Sequence, residues 1–137
     1  MTTTQAGEES SVPQIGFMKL TVGDLDRSRA FYEDAFGMTA GEPIVQRDLV
    51  EQVLKSPGNP FAVTLLQYLD ARPIAASEGA AAFCVGFYVD DMEAALARAQ
   101  SAGATLLRGP FWFGETVSYA FLEDPDRHVI EVIYRGG

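Results

Sequence analysis

"VGDLDRSRAFYEDAFGM", residues 22–38, and "VDDMEAALARAQSAGA", residues 89–104, are two copies of one pattern. Each runs from a Val through a pair ending in Asp to an apolar residue, then a helix-like stretch, then a Gly and a small or sulfur-bearing residue. A shift of 67 positions brings them into register: Val22 on Val89, Asp24 on Asp91, Leu25 on Met92 and Pro43 on Pro110. The same shift sets Phe17 on Cys84 in the segments upstream.

Each copy predicts the same succession of elements. "IGFMKLTV" (15–22) and "AAFCVGFYV" (81–89) are apolar, of strand length, and rich in aromatic and β-branched residues. Asp24 and Asp91 follow as helix N-caps, because a short carboxylate satisfies the free N–H groups of a first turn. The spacing predicts helices over 25–36 and 92–102, with Leu25, Phe31, Ala35 and Phe36 as one apolar stripe and Met92, Ala95, Leu96 and Ala99 as the other. Gly37 and Gly103 close them, since a left-handed C-terminal cap carries no penalty at glycine. Further strands are expected at 38–42, 47–54 and 61–68, and again at 105–109, 117–122 and 128–134. The turn signals "SPGNP" (56–60) and "EDPDR" (123–127) separate them. The order is βαβββ twice: a tail over 1–13, a first module over 14–68, a linker over 69–80 and a second module over 81–137. A half of this size buries too little surface to fold alone, so the two share a core. The expected class is α+β, with two paired curved sheets around a cavity.

Composition narrows the function. With 137 residues, 47% of them hydrophobic, and a net charge of −9, the chain lacks the concentrated positive charge that phosphate backbones or anionic membranes require. Nucleic acid and membrane are therefore not expected partners. One cysteine, Cys84, forms no intrachain disulfide and fits a reducing, cytoplasmic setting. The N-terminal "MTTTQAGEESSVPQ" has neither a basic region nor an apolar core, so it reads as a polar tail rather than a signal peptide.

"KLTVGDLDRSRAFYEDAFGM", "GFYVDDMEAALARAQSAGA" and "FLEDPDRHVIEVI", in that order, resemble the vicinal oxygen chelate superfamily, which includes glyoxalase I, extradiol dioxygenases and bleomycin-resistance proteins. The resemblance runs from Ile15 to Tyr134. It implies a divalent metal held by four side chains on four strands, at positions matched here by Phe17, Leu65, Cys84 and Glu131. Only Glu131 carries the expected ligand type. One thiolate and one carboxylate leave such a site two ligands short, so no metal and no other cofactor is expected. His128 lies three residues from Glu131 and by strand alternation projects to the other face. The resemblance also implies a homodimer whose cavities draw on both chains.

Alternation gives the expected cavity wall. Phe17, Lys19 and Thr21 share one face, Cys84, Gly86 and Tyr88 another, and Val63, Leu65 and Gln67 a third. Phe111, Trp112 and Phe113, in a loop-like segment, are candidates for a stacking lid, or equally for a plug or subunit contact. Phe17, Leu65, Gln67, Cys84, Tyr88, Trp112 and Phe113 are thus the candidate ligand-binding residues. Glu131, facing an apolar cavity, needs a partner, and Lys19 is the only inward cation the counting finds. That pair is the candidate catalytic set, and Cys84 reads as a small buried hydrophobe. Two functions follow. One is a metal-independent protein that holds a hydrophobic or aromatic metabolite or drug. The other is an enzyme, either of isomerase or lyase type with Glu131 as general base, or glyoxalase- or dioxygenase-like with an atypical metal site.

Overall fold

Helix caps divide the chain where the repeat places them. In the computed structural model, which describes residues 12, 14–70 and 84–136, the Asp24 carboxylate accepts the Arg27 N–H at the start of α1 (Leu25–Phe36). Asp91 does the same for Ala94 at the start of α2 (Met92–Ala102). Gly37 and Gly103 end the two helices at φ values of 65° and 122°. Nearly all of the expected tail, most of the linker and the first three residues of the 81–89 strand lie outside the described residues.

The strands form two mixed sheets. The first holds β1 (Phe17–Thr21), β2 (Thr39–Ala40), β4 (Leu49–Lys55) and β5 (Ala62–Tyr68) in the order β1-β5-β4-β2, with β3 (Ile44–Val45) also pairing β4. The second holds β6 (Cys84–Val89), β7 (Thr105–Phe113), β8 (Val117–Glu123) and β9 (Val129–Arg135) in the order β6-β9-β8-β7. In each sheet the strand before the helix pairs in parallel with the last strand of its module, and the other pairs are antiparallel. The fold is α+β, and neither sheet closes into a barrel.

β7 corrects one expectation. It continues through Phe111, Trp112 and Phe113, paired with Tyr119, Ser118 and Val117, so these aromatics belong to a strand rather than a loop. Its register shifts between Leu106 and Arg108 and again before Phe111. Gly109 sits in the second shift at φ 94°, where an added Cβ would lie 3.0 Å from the Tyr119 carbonyl oxygen. Only glycine fits there.

One face of each sheet meets the helices, and there the core lies. Leu20, Val22, Leu54, Val63 and Leu65 supply it from the first sheet, and Val85, Ala120, Leu122, Ile130 and Val132 from the second. Between them pack Phe31, Tyr32 and Ala35 of α1 with Leu96 and Ala99 of α2. Phe36 stacks flat on Phe87 of β6 with ring centroids 4.0 Å apart, which joins the modules through apolar contact.

A polar junction joins them as well. Asp124, in the turn before β9, has a fully buried side chain. It accepts the Tyr32 hydroxyl at 2.6 Å, the backbone N–H groups of Asp126 and His128 at 2.8 Å, and the His128 ring nitrogen Nδ1 at 2.9 Å. Asp126 reaches into the first module, accepting from Gly23 N–H, the Arg27 guanidinium and the Ser28 hydroxyl. Asp124, Asp126 and His128 could geometrically surround an ion, their ligand atoms lying within 4.8 Å of one another. Their lone pairs are already committed to protein donors.

Burial drives the Tyr32 hydroxyl well above its ordinary pKa, and the Asp124 charge adds to the effect, so it remains a donor. For His128, burial alone would lower the pKa. The hydrogen bond to Asp124, the charges of Asp124 and Asp126 and a backbone bond to Thr21 outweigh that and raise it above 6.5. Two expectations follow. Tyr32→Phe removes a donor from a buried carboxylate and should lower unfolding free energy by ~2 kcal/mol in urea titrations. The raised His128 pKa means its contribution is complete below the unfolded value and is lost as pH rises through the folded one. Stability should therefore fall from pH 6 towards pH 8, and His128→Gln should flatten that part of the melting-temperature profile.

Candidate functional site

The faces turned away from the helices carry the residues left over from the core. In the first sheet the register places Phe17, Lys19 and Thr21 beside Ala62, Thr64 and Leu66, with Val53 and Glu51 beyond them. In the second, Cys84, Gly86 and Tyr88 lie beside Val129, Glu131 and Ile133, followed by Glu123, Phe121 and Tyr119 and then Thr105, Arg108 and Phe111. The second face is open, with Tyr88 70% and Phe113 74% exposed, whereas on the first Phe17 is 58% exposed and Ala62, Thr64, Leu66 and Glu51 are buried.

The expected wall is present in part. Phe17, Lys19, Cys84, Tyr88 and Glu131 stand on the faces that strand alternation predicts, and Phe113, expected in a loop, stands on the open face of β7. Leu65 and Gln67 do not. Leu65 pairs with Leu20 and is wholly buried under the helices, and the Gln67 side-chain amide oxygen Oε1 accepts the Leu25 N–H at 2.9 Å. Thr64 takes the place assumed for Leu65, because a one-residue slip along a strand moves every side chain to the opposite face. Trp112 also points the other way: it pairs with Ser118 on the helix side of the second sheet, while Phe111 and Phe113 face outward.

The expected Lys19–Glu131 pair is not formed. The Lys19 ammonium lies 2.5 Å from Glu51, a carboxylate on the neighbouring part of its own sheet that strand counting did not find. Gln46 also donates to Glu51, at 3.4 Å. Glu131 is half-buried and has no ion-pair partner among the described residues. Cys84 is exposed and not the small buried hydrophobe expected; partial desolvation and the Glu131 charge raise its thiol pKa, so the sulfur stays protonated.

These donors do not fit a divalent metal of the kind the superfamily implies. Phe17 has no lone pair to give, Thr64 offers a neutral hydroxyl, the Cys84 thiol resists deprotonation, and Glu131 stands as a single carboxylate. The Lys19 ammonium, on the same strand face as Phe17, adds a repelling charge.

What the second open face does offer is rings with cations resting on them. Phe111 and Tyr119 have centroids 5.5 Å apart, and Tyr119 and Phe121 meet edge to face at 6.0 Å. The Arg108 guanidinium lies 4.5 Å above Phe121, and that of Arg135 3.9 Å above Tyr88. Stacked rings with guanidinium planes on them are chemically suited to contact with flat apolar molecules, and Glu131 adds one carboxylate to the same face.

The comparisons agree with this architecture. The family model described as Glyoxalase/Bleomycin resistance protein/Dioxygenase superfamily matches residues 14–132. The chain is 33% identical over 137 aligned positions to a lactoylglutathione lyase of Haemophilus influenzae, covering 88% of this chain and 91% of the relative. Its fold is similar to that of a glyoxalase family protein from Bacillus cereus, with TM-score 0.82 and 16% identity over 92% of this chain and 96% of the other. It is also similar to TnmS3, an antibiotic binding protein from Streptomyces sp. CB03234, with TM-score 0.71 and 19% identity over 92% and 98% of the two chains. No helix among the described residues is long and apolar enough to cross a membrane.

The ion-pair assignment has a direct test. In a double-mutant cycle on stability, Lys19→Met and Glu51→Gln should couple by about 1 kcal/mol, the pair being partly solvent-screened. Lys19→Met and Glu131→Gln should be additive.

Proposed function

The chain belongs to the Glyoxalase/Bleomycin resistance protein/Dioxygenase superfamily, and from that membership we propose that it is a small-molecule-binding protein that works without a metal. Its ligand is a hydrophobic or aromatic metabolite or drug, held against the open faces of the sheets. The observation that carries this reading is the uncovered aromatic face of the second sheet. Tyr88, Phe111, Phe113, Tyr119 and Phe121 surround one unpaired carboxylate there, and the side chains at the metal positions cannot supply a ligand set. Exposed apolar faces of this extent need a cover. A homodimer that opposes the open faces of two chains supplies one and encloses the ligand between them. TnmS3, which has a similar fold, is described as an antibiotic binding protein, and that likeness supports the reading.

A second reading has its own support. The 33% identity to a lactoylglutathione lyase favours an enzyme, and Glu131, free of any cation, would be its general base. The two readings part on one experiment. The purified protein, with and without added zinc or nickel, is assayed for lactoylglutathione lyase activity and titrated with the fluorescent probe anilinonaphthalene sulfonate. The binding reading expects no lyase activity under either condition and saturable probe binding, weakened about tenfold by Tyr88→Ala or Phe113→Ser, both changes at exposed sites. Metal-dependent turnover abolished by Glu131→Gln would establish the enzyme instead. Light scattering at micromolar concentration should give the mass of a dimer.

A further inference from the structure

The opposite side of the second sheet holds a groove that neither reading uses. It measures about 500 Å³ and runs between α2 and the far end of β7, lined by Met92, Glu93, Leu96, Ala97, Gln100, Pro110, Trp112 and Ser118. That volume lies within the range of small-molecule pockets.

Its shape follows from two sequence features. On α2, residues 92, 93, 96, 97 and 100 fall on one stripe, as helical spacing requires, and present Met92, Leu96 and Ala97 as an apolar wall. On β7 the register shift at Gly109 changes the alternation, so that Pro110 and Trp112 turn towards the helix while Arg108, Phe111 and Phe113 face away. The indole of Trp112 remains 61% exposed, a flat ring surface standing opposite the thioether of Met92 and the methyl groups of Leu96.

The polar groups of the groove are few and uncommitted. Ser118 is 3% exposed, lines the groove, and its hydroxyl forms no hydrogen bond among the described residues. The hydroxyl oxygen is not among the buried unsatisfied atoms, so it opens on the groove as a free donor and acceptor. Glu93, at the start of α2, makes no ion pair among the described residues, and no Lys or Arg lines the groove. The charge that complements it is positive.

We infer that this groove is a second binding site, for a planar aromatic molecule of two or three rings that carries a protonated amine. The rings enter between Trp112 and the Met92–Leu96 wall, the amine meets Glu93, and a ring heteroatom or amine hydrogen satisfies Ser118. The inference is independent of the open faces, from which the sheet itself separates the groove.

Trp112 is the only tryptophan of the chain, so its fluorescence reports on the groove directly. The full-length protein is titrated with 9-aminoacridine, a planar cation, and with anthracene-9-carboxylate, an anion of the same shape. The expected result is saturable quenching of Trp112 by the cation, with the anion at least about tenfold weaker. Ala97→Arg, at an exposed helix position, fills and charges the groove and should weaken the cation by at least about tenfold, and Glu93→Gln by about fivefold. Equal affinity for cation and anion, or unchanged affinity in a folded Ala97→Arg protein, would overturn the proposal. So would loss of affinity in Tyr88→Ala with Ala97→Arg unaffected, which would move the binding to the open face. A change of oligomeric state in Ala97→Arg, read by light scattering, would make the groove a contact between chains and overturn it equally.

Discussion

A carboxylate with no access to solvent is costly unless every lone pair is engaged, and Asp124 is where this molecule meets that condition. Its partners come from both halves of the chain. The Asp126 and His128 N–H groups and the His128 ring are local to the turn, whereas the Tyr32 hydroxyl arrives from α1, 92 residues earlier. The carboxylate is therefore satisfied only when the two modules are docked in one orientation. Apolar packing between α1 and α2 provides most of the cohesion, but greasy helix faces tolerate sliding. The directional bonds to Tyr32, Ser28 and Gly23 do not. The device is one-sided. At the repeat positions of Ser28 and Tyr32 the second helix has Ala95 and Ala99, and where the second module has Asp124 and Asp126 the first has Pro57 and Asn59. The copies have diverged into a donor half and an acceptor half, although their backbones still follow one plan.

Much of this plan was legible in the residues. Caps and glycines mark both helices to the residue, because capping is local chemistry read from four or five positions. Faces are harder, because period-two alternation needs one anchored residue per strand. β1, β6 and β9 had anchors and came out as expected. In β5 the run "AVTLL" is apolar on both sides, so hydrophobicity gives no phase, and Leu65 lies on the helix side instead of the open face. The anchor did exist: the same 67-residue shift that sets Phe17 on Cys84 sets Thr64 on Glu131, and the parallel registers Lys19–Thr64 and Gly86–Glu131 obey it. In β7 alternation fails for a different reason. The register slips twice, so counting from Thr105 predicts nothing about Trp112. Ion pairs across strands are less legible still, since Lys19 and Glu51 are 32 residues apart and only the pairing of β1, β5 and β4 brings them together.

The same registers explain how the superfamily's metal positions can be lost without loss of the fold. All of them lie on the faces turned from the helices, outside the core that holds the modules together, so a change there leaves Phe31, Tyr32, Leu65 and Ile130 undisturbed. The aromatic residues of these faces follow a logic of their own. Phe17, Tyr88 and Phe121 are aromatic, and each carries a cation over its ring: Lys19 at 5.8 Å, Arg135 at 3.9 Å and Arg108 at 4.5 Å. A cation held on a ring is partly stripped of water while its apolar stem and the ring cover one another.

That arrangement also sorts charge between the two sides of the second sheet. The chain carries −9 overall, while its open face sets Arg108 and Arg135 against Glu123 and Glu131, so the acidic excess resides elsewhere. Part of it is on α2, where Glu93 follows the Asp90–Asp91 pair at the helix start. A negative charge is well placed there, because the helix N-terminus has its N–H groups directed outward. One sheet therefore separates an aromatic surface of balanced charge from an aromatic groove lined by a carboxylate and no cation. The separation arises from strand alternation together with a single glycine-dependent slip in β7.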